Sequence, residues 1–139
     1  MSKHAIFSRV ALLALALPLC ASAQNFSRAC PKAHEVTQEQ LIGSWRAEFK
    51  DLPGATVMLW QHPELAGSVR GEVNRNGQLA ETAGDVDGGE FTLEESVNGV
   101  NISATWLGDV VEGSCGREIR GTWRAEGHAQ EHEFVLRKP

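Results

Sequence analysis

Between Ser44 and Lys138 apolar and polar residues alternate with a period of two in eight separate stretches. They read SWRAEFK (44–50), ATVMLWQ (55–61), GSVRGEV (67–73), LAETAGDV (79–86), EFTLEESV (90–97), VNISATW (100–106), EIRGTWRA (118–125) and EFVLRK (133–138), the fourth being the weakest. Successive side chains of a strand point to opposite faces, so this period predicts half-buried β-strands rather than helices, whose apolar positions recur every three or four residues. Trp45, Ala47 and Phe49 share one face of the first stretch, and Trp60 falls on the face opposite Val57 and Leu59 in the second. The order Gly, hydroxyl residue, bulky apolar, Arg, small, Glu occurs three times, at 43–48, 67–72 and 121–126.

The turns between these stretches are short. Asn76-Gly77 and Asn98-Gly99 are hairpin signals, because both positions of a tight two-residue turn take positive φ. Leu52-Pro53-Gly54 and Asp87-Gly88-Gly89 mark further reversals, and residues 107–118 are the one stretch long enough for an extended loop. Thr37 and Gln40 have capping-box spacing, which predicts one helical turn over 38–42 that Gly43 ends. Consecutive hairpins in an open sheet leave two unpaired edges, and closure removes them. The expected fold is therefore all-β: an eight-stranded antiparallel up-and-down β-barrel with a short N-terminal helical turn.

The first residues change the picture of compartment and charge. Lys3 and Arg9 precede an apolar run from Val10 to Leu19 and then Ala21-Ser22-Ala23, the layout of a secretory signal peptide cleaved after Ala23. The run is about half of what a membrane-spanning helix needs. A lipoprotein signal acylated at Cys20 is the alternative, though Leu19 stands where a small residue is wanted. The chain thus divides into a signal peptide (1–23), a polar segment (24–37) and a barrel domain (38–139), and the expected location is periplasmic or secreted. Removing the leader takes away two basic and no acidic residues, so eleven Lys and Arg face eighteen Asp and Glu, a formal charge of −7. That balance argues against nucleic acid, whose binding neutralises phosphates with Lys and Arg. It also leaves no segment for membrane insertion once the leader is gone. Two cysteines remain, Cys30 and Cys115, and an exported chain is expected to pair them. The pair closes a loop of about 85 residues, and a cross-link of that span stabilises by on the order of 4 kcal/mol in the chain-entropy model. Cys115 as a nucleophile would need a free thiol and an activating base, and nothing beside it in EGSCGRE supplies one.

A helical turn followed by Gly43-x-Trp45 at the start of the first strand, with Arg137 in the last, resembles the signature of the calycin superfamily of lipocalins, avidins and small bacterial metalloprotease inhibitors. The resemblance implies that Trp45 plugs one end of the barrel and that a basic residue of the last strand, here Arg137, packs over it. It spans residues 38–137 and rests on three residues and a strand count. The chain lacks the tyrosine an avidin-like biotin site would use, although Trp106 and Trp123 lie on late strands as avidin tryptophans do. It also lacks the short disulfide loop usual near the start of the inhibitors.

The candidate chemistry is sparse. His128, Glu131, His132 and Glu133 cluster around the last hairpin and offer nitrogen and oxygen ligands of the kind zinc accepts, with His128 and His132 as the metal candidates, but their spacing matches no known ligand motif and a polar, exposed hairpin tip explains them better. Asp85, Asp87, Glu90, Glu94 and Glu95 read as a solvated acidic face. The expected role is non-catalytic binding with no cofactor. The first form is a small-molecule binder with Trp60, Trp106 and Trp123 lining the barrel mouth. The second is an inhibitor of an exported enzyme, in which the barrel is solid and a loop or the segment 24–36 enters the partner's cleft. A metal-handling protein using His128 and His132 is the third. Oligomeric state is not legible at this level.

Overall fold

The computed structural model describes residues 29–139, so the signal peptide, its cleavage point and Cys20 lie outside the described residues. A 3₁₀ turn at Ala33–Glu35 and a helical turn α1 at Gln38–Leu41 precede eight strands. These are β1 Gly43–Phe49, β2 Ala55–Gln61, β3 Ser68–Arg75, β4 Gln78–Asp87, β5 Glu90–Ser96, β6 Ala104–Val110, β7 Glu118–Ala125 and β8 His132–Arg137. Each pairs antiparallel with its neighbours in chain order, and β1 pairs with β8 to close the barrel. The all-β up-and-down barrel read from the alternation is therefore the fold.

One segment differs from the alternation. Val100–Ser103 are not in a strand; β6 starts at Ala104 and runs on through Val110, so the β5–β6 loop occupies 97–103 and the β6–β7 loop shrinks to 111–117. Val100 and Ile102 alternate with asparagine and serine as a strand would, yet they have no neighbouring strand to face and stay exposed. The hairpin at Asn76-Gly77 forms as expected, with φ of 53° and 87°, and Asn74 Oδ1 accepts the Gly77 amide at 2.8 Å.

The recurring six-residue pattern is explained by direction. It falls on β1, β3 and β7, which run the same way, and each copy sends its bulky and small residues inward and its Arg and Glu outward. Trp45, Val69 and Trp123 accordingly enter the interior, while Arg46, Arg70 and Arg124 are exposed. Trp45, Trp106, Phe91, Leu41, Leu93, Ile119, Leu136, Glu95, Val57, Val69 and Val73 are all less than 2 % exposed, so side chains fill the barrel. Eight strands leave an interior just wide enough for that.

The closed end is built around Trp45. Its indole Nε1 donates to the Leu41 carbonyl at 2.7 Å, which anchors α1 across the barrel end. The basic residue over the ring is Lys138 rather than Arg137: its Nζ lies 5.5 Å from the ring centroid and donates to the Gln40 carbonyl at 2.7 Å. Parity is the reason, since Phe134 and Leu136 point inward on β8 and the next inward position is 138. Gly43 is required here, having φ of +124° and leaving only 3.1 Å between a Cβ in its place and Lys138 Cε. The N-terminal segment is tied down by the disulfide between Cys30 and Cys115, which lies in the β6–β7 loop.

Arg137 points outward and joins strands instead. Its Nη1 donates to Glu48 Oε2 at 2.8 Å and its Nε to Glu118 Oε1 at 2.9 Å. Partial desolvation pushes the Glu118 carboxyl up, but hydrogen bonds and charge from Arg137 and Arg120 outweigh it and hold the group below its ordinary value. Because the folded value is the lower one, this carboxylate stabilises the barrel near neutrality and ceases to as acid protonates it. Glu118→Gln is expected to lower the denaturation midpoint at pH 7 and to match the parent in acid below the carboxylate range, as urea titrations at the two pH values will read.

Gly108 and Gly121 face each other across β6 and β7. A Cβ on Gly121 would overlap the Leu107 carbonyl oxygen and lie 2.4 Å from Gly108 Cα. Gly121→Ala is therefore expected to destabilise by about 3 kcal/mol, the upper range for overpacking, measured by denaturant unfolding.

Candidate functional site

The end of the barrel away from α1 is formed where β1, β3, β5 and β7 finish and the even strands begin. Its inward positions are Phe49, Arg75, Glu95, Trp123 and His132, together with Trp106 one layer deeper. Glu95 is 2 % exposed, and it is the residue the acidic reading of 85–95 misplaced. It follows Phe91 and Leu93 at alternate positions of β5 and so points into the barrel, not onto a solvated face.

Four donors meet this carboxylate. Oε1 accepts from Trp106 Nε1 at 2.7 Å, Trp123 Nε1 at 3.0 Å and Arg75 Nη2 at 2.8 Å, and Oε2 accepts from Arg75 Nη1 at 3.1 Å. Oε1 takes three of the four donors and Oε2 one, so most of the carboxylate's acceptor capacity is engaged in holding its neighbours. The arrangement holds Arg75 and Trp123 in place. The guanidinium carbon of Arg75 lies 4.9 Å from the Trp123 ring and 5.9 Å from the Phe49 ring, a cation between two aromatic faces. His132 stands 5.7 Å from Trp123 and its Nδ1 is 2.9 Å from Asp51 Oδ1, joining the β1–β2 loop to β8. Among the described residues, Arg75 Nε and Ser103 Oγ are buried without a hydrogen-bond partner.

Of the three tryptophans expected to line the mouth, Trp106 and Trp123 converge on Glu95 with both indole N–H groups engaged. Trp60 does not join them: it is 45 % exposed on the outer wall of β2, as its alternation with Val57 and Leu59 requires. His128 is exposed, and His132 is bound to Asp51. No group of three His, Cys, Asp or Glu placed to hold a metal occurs among the described residues. Cys115 is in the disulfide, so the nucleophile reading has no thiol to work with.

The rim carries a second feature that periodicity concealed. In the β5–β6 loop, Val97, Val100 and Ile102 are 59 %, 83 % and 45 % exposed. Asn98 Oδ1 accepts the amides of Val100 and Asn101 at 2.9 and 2.8 Å, and Ser96 Oγ donates to the Asn101 carbonyl at 2.6 Å. Apolar side chains are thus presented to water on a loop held by its own hydrogen bonds.

No protein-family model, curated protein or solved structure matches this chain. The architecture is an eight-stranded antiparallel barrel, consistent with a calycin-like architecture in general, and the chemistry rests on the geometry above.

Proposed function

We propose that this chain is an exported binding protein that acts on a macromolecular partner, an exported enzyme, through the rim of its open end. The observation that supports the reading is the buried interior: among the described residues the central side chains from Trp45 to Glu95 are almost wholly removed from solvent, which suits a scaffold better than a chamber of the usual ligand-pocket size. A solid barrel is a scaffold, and the β5–β6 loop is what it displays. A loop already held in one conformation loses little entropy on docking, and exposed Val97, Val100 and Ile102 offer apolar contact. The disulfide suits an oxidising compartment, and no described helix is long and apolar enough to cross a membrane.

The second reading, a small polar ligand bound shallowly in the mouth, draws on the unpartnered Arg75 Nε and Ser103 Oγ. Two experiments separate these readings. Native mass spectrometry of the protein recovered from its own host without reductant is expected to show no bound small molecule. Assays against exported proteases and cell-wall hydrolases are expected to reveal inhibition that Val100→Asp removes. A co-purifying small molecule that is lost on Trp123→Ala would overturn the enzyme-partner reading in favour of the mouth.

A further inference from the structure

We propose that Asn98 is a site of self-catalysed deamidation, at which the Gly99 nitrogen displaces ammonia from the asparagine side chain through a succinimide. The chain has two Asn-Gly pairs in its hairpin loops, Asn76-Gly77 and Asn98-Gly99, and all four residues are exposed. Glycine leaves the attacking nitrogen unscreened by a side chain, so residue order and exposure make the two pairs equivalent. Their hydrogen bonding makes them different. At Asn98 the carboxamide is turned forward over Gly99, because its Oδ1 accepts the amides of Val100 at 2.9 Å and Asn101 at 2.8 Å. Ser96 Oγ lies 3.2 Å from the same oxygen. Attack on Asn98 Cγ moves negative charge onto Oδ1, and two N–H groups already face the place where that charge develops. They also hold the carboxamide in place, so less freedom is lost when the ring closes. The Gly99 amide donates to no acceptor among the described residues, which leaves its nitrogen available.

Asn76 has none of these features. The Gly77 amide donates to Asn74 Oδ1 at 2.8 Å, so the nitrogen that would attack is held by a hydrogen bond aimed elsewhere. No donor meets the Asn76 carboxamide among the described residues. Arg75 and Gln78, on either side of the turn, are register partners in the β3–β4 ladder, which fixes the backbone between them.

The chemistry needs only water. The Gly99 nitrogen gives its proton to hydroxide and bonds to Asn98 Cγ; the Cγ–Nδ2 bond then breaks, and ammonia leaves with a proton taken from water. Water opens the resulting ring in one of two ways. Cleavage at Cγ restores the main chain with an aspartate at position 98, and cleavage at the main-chain carbonyl of 98 routes the chain through Cγ as an isoaspartate. No electrons are exchanged. Either product places a carboxylate among the exposed Val97, Val100 and Ile102. The isoaspartate also lengthens the main chain by one carbon and shortens the group that holds the Val100 and Asn101 amides, so the loop loses its internal bonds. Resting on the reading that this rim docks an enzyme, the conversion turns that surface off with age.

Peptide mapping by mass spectrometry, on the purified and disulfide-intact protein held warm in mildly alkaline buffer, tests the site. The peptide carrying Asn98 is expected to lose the mass of ammonia and then gain that of water about tenfold faster than the peptide carrying Asn76. Donors on an oxyanion are worth more than this in a dry site and less in an exposed loop. In guanidinium chloride, with unfolding checked by far-UV circular dichroism, the Val100 and Asn101 amides no longer meet Oδ1 and the two rates should converge. Equal rates in the folded protein overturn the proposal, as does an Asn98 that does not convert. A preference for Asn98 that survives unfolding overturns it too, since residue order would then be its cause. The masses are read with no partner present, so the outcome stands or falls apart from enzyme binding at the rim.

Discussion

Glu95→Ala is expected to lower the unfolding free energy by about 3–5 kcal/mol, the cost of removing one partner from a buried ion pair. Four donors converge on this carboxylate, and alanine would strand them: two indole N–H groups and two guanidinium N–H groups in a site where Trp106 is fully buried. Glu95→Gln, which keeps the shape and one acceptor, should cost less. The double variant Glu95→Leu with Arg75→Met should recover the part due to the stranded guanidinium, since well-packed apolar residues often replace a buried pair at little cost, while the Trp106 and Trp123 N–H groups remain unpaired. Equilibrium unfolding in guanidinium chloride reads all three. A Glu95→Ala midpoint equal to the parent's would show that the carboxylate is not what organises the open end. Near-ultraviolet circular dichroism adds a second readout, because Trp106 and Trp123 should lose their fixed environment when Glu95 is gone.

The other large effect is expected at the disulfide. Cys30 and Cys115 are 85 residues apart, and a cross-link closing such a loop stabilises by on the order of 4 kcal/mol in the chain-entropy model. Against the roughly 5–15 kcal/mol of a typical domain this is a large share. Cys30→Ser with Cys115→Ser is expected to lower Tm by tens of degrees at most and to leave the period-two strands folding in the same order. The segment that includes the 3₁₀ turn should be affected first, since Ala33 is otherwise held to the β6–β7 loop by its amide donating to Glu112 Oε2 at 2.8 Å. Hydrogen exchange should therefore show the amides of 31–36 losing protection before those of β2 and β3. Uniform loss across the barrel would mean that the cross-link acts on the whole fold rather than through this segment.

Much of the barrel was legible from residue order because strand alternation is a local property. Each inward position from Trp45 to Leu136 follows from its neighbours two places away, and eight such stretches with turns too short for crossovers leave antiparallel hairpins as the connection. The capping turn before Gly43 and the outward placement of Trp60 were legible from local order as well, and the pairing of Cys30 with Cys115 from the count of cysteines. Alternation misled at Val100–Ser103, where a strand-like order of residues has no adjacent strand to pair with.

What residue order alone determined is which side of each strand a residue occupies. The tertiary structure decided what lies across the barrel from it, because closure and stagger bring together positions remote in the chain. Arg75, Glu95, Trp106 and Trp123 sit on four strands, and no spacing within one strand announces their meeting. Glu95 looked like one more acidic residue in a polar run until β5 was placed with Phe91, Leu93 and Glu95 inward. The basic residue over Trp45, expected at Arg137, is Lys138 one position further on, because β8 turns Leu136 inward and with it position 138. Sidedness is set by neighbours two residues apart, but a buried carboxylate is stable only where enough donors converge, and only the closed barrel brings those donors together.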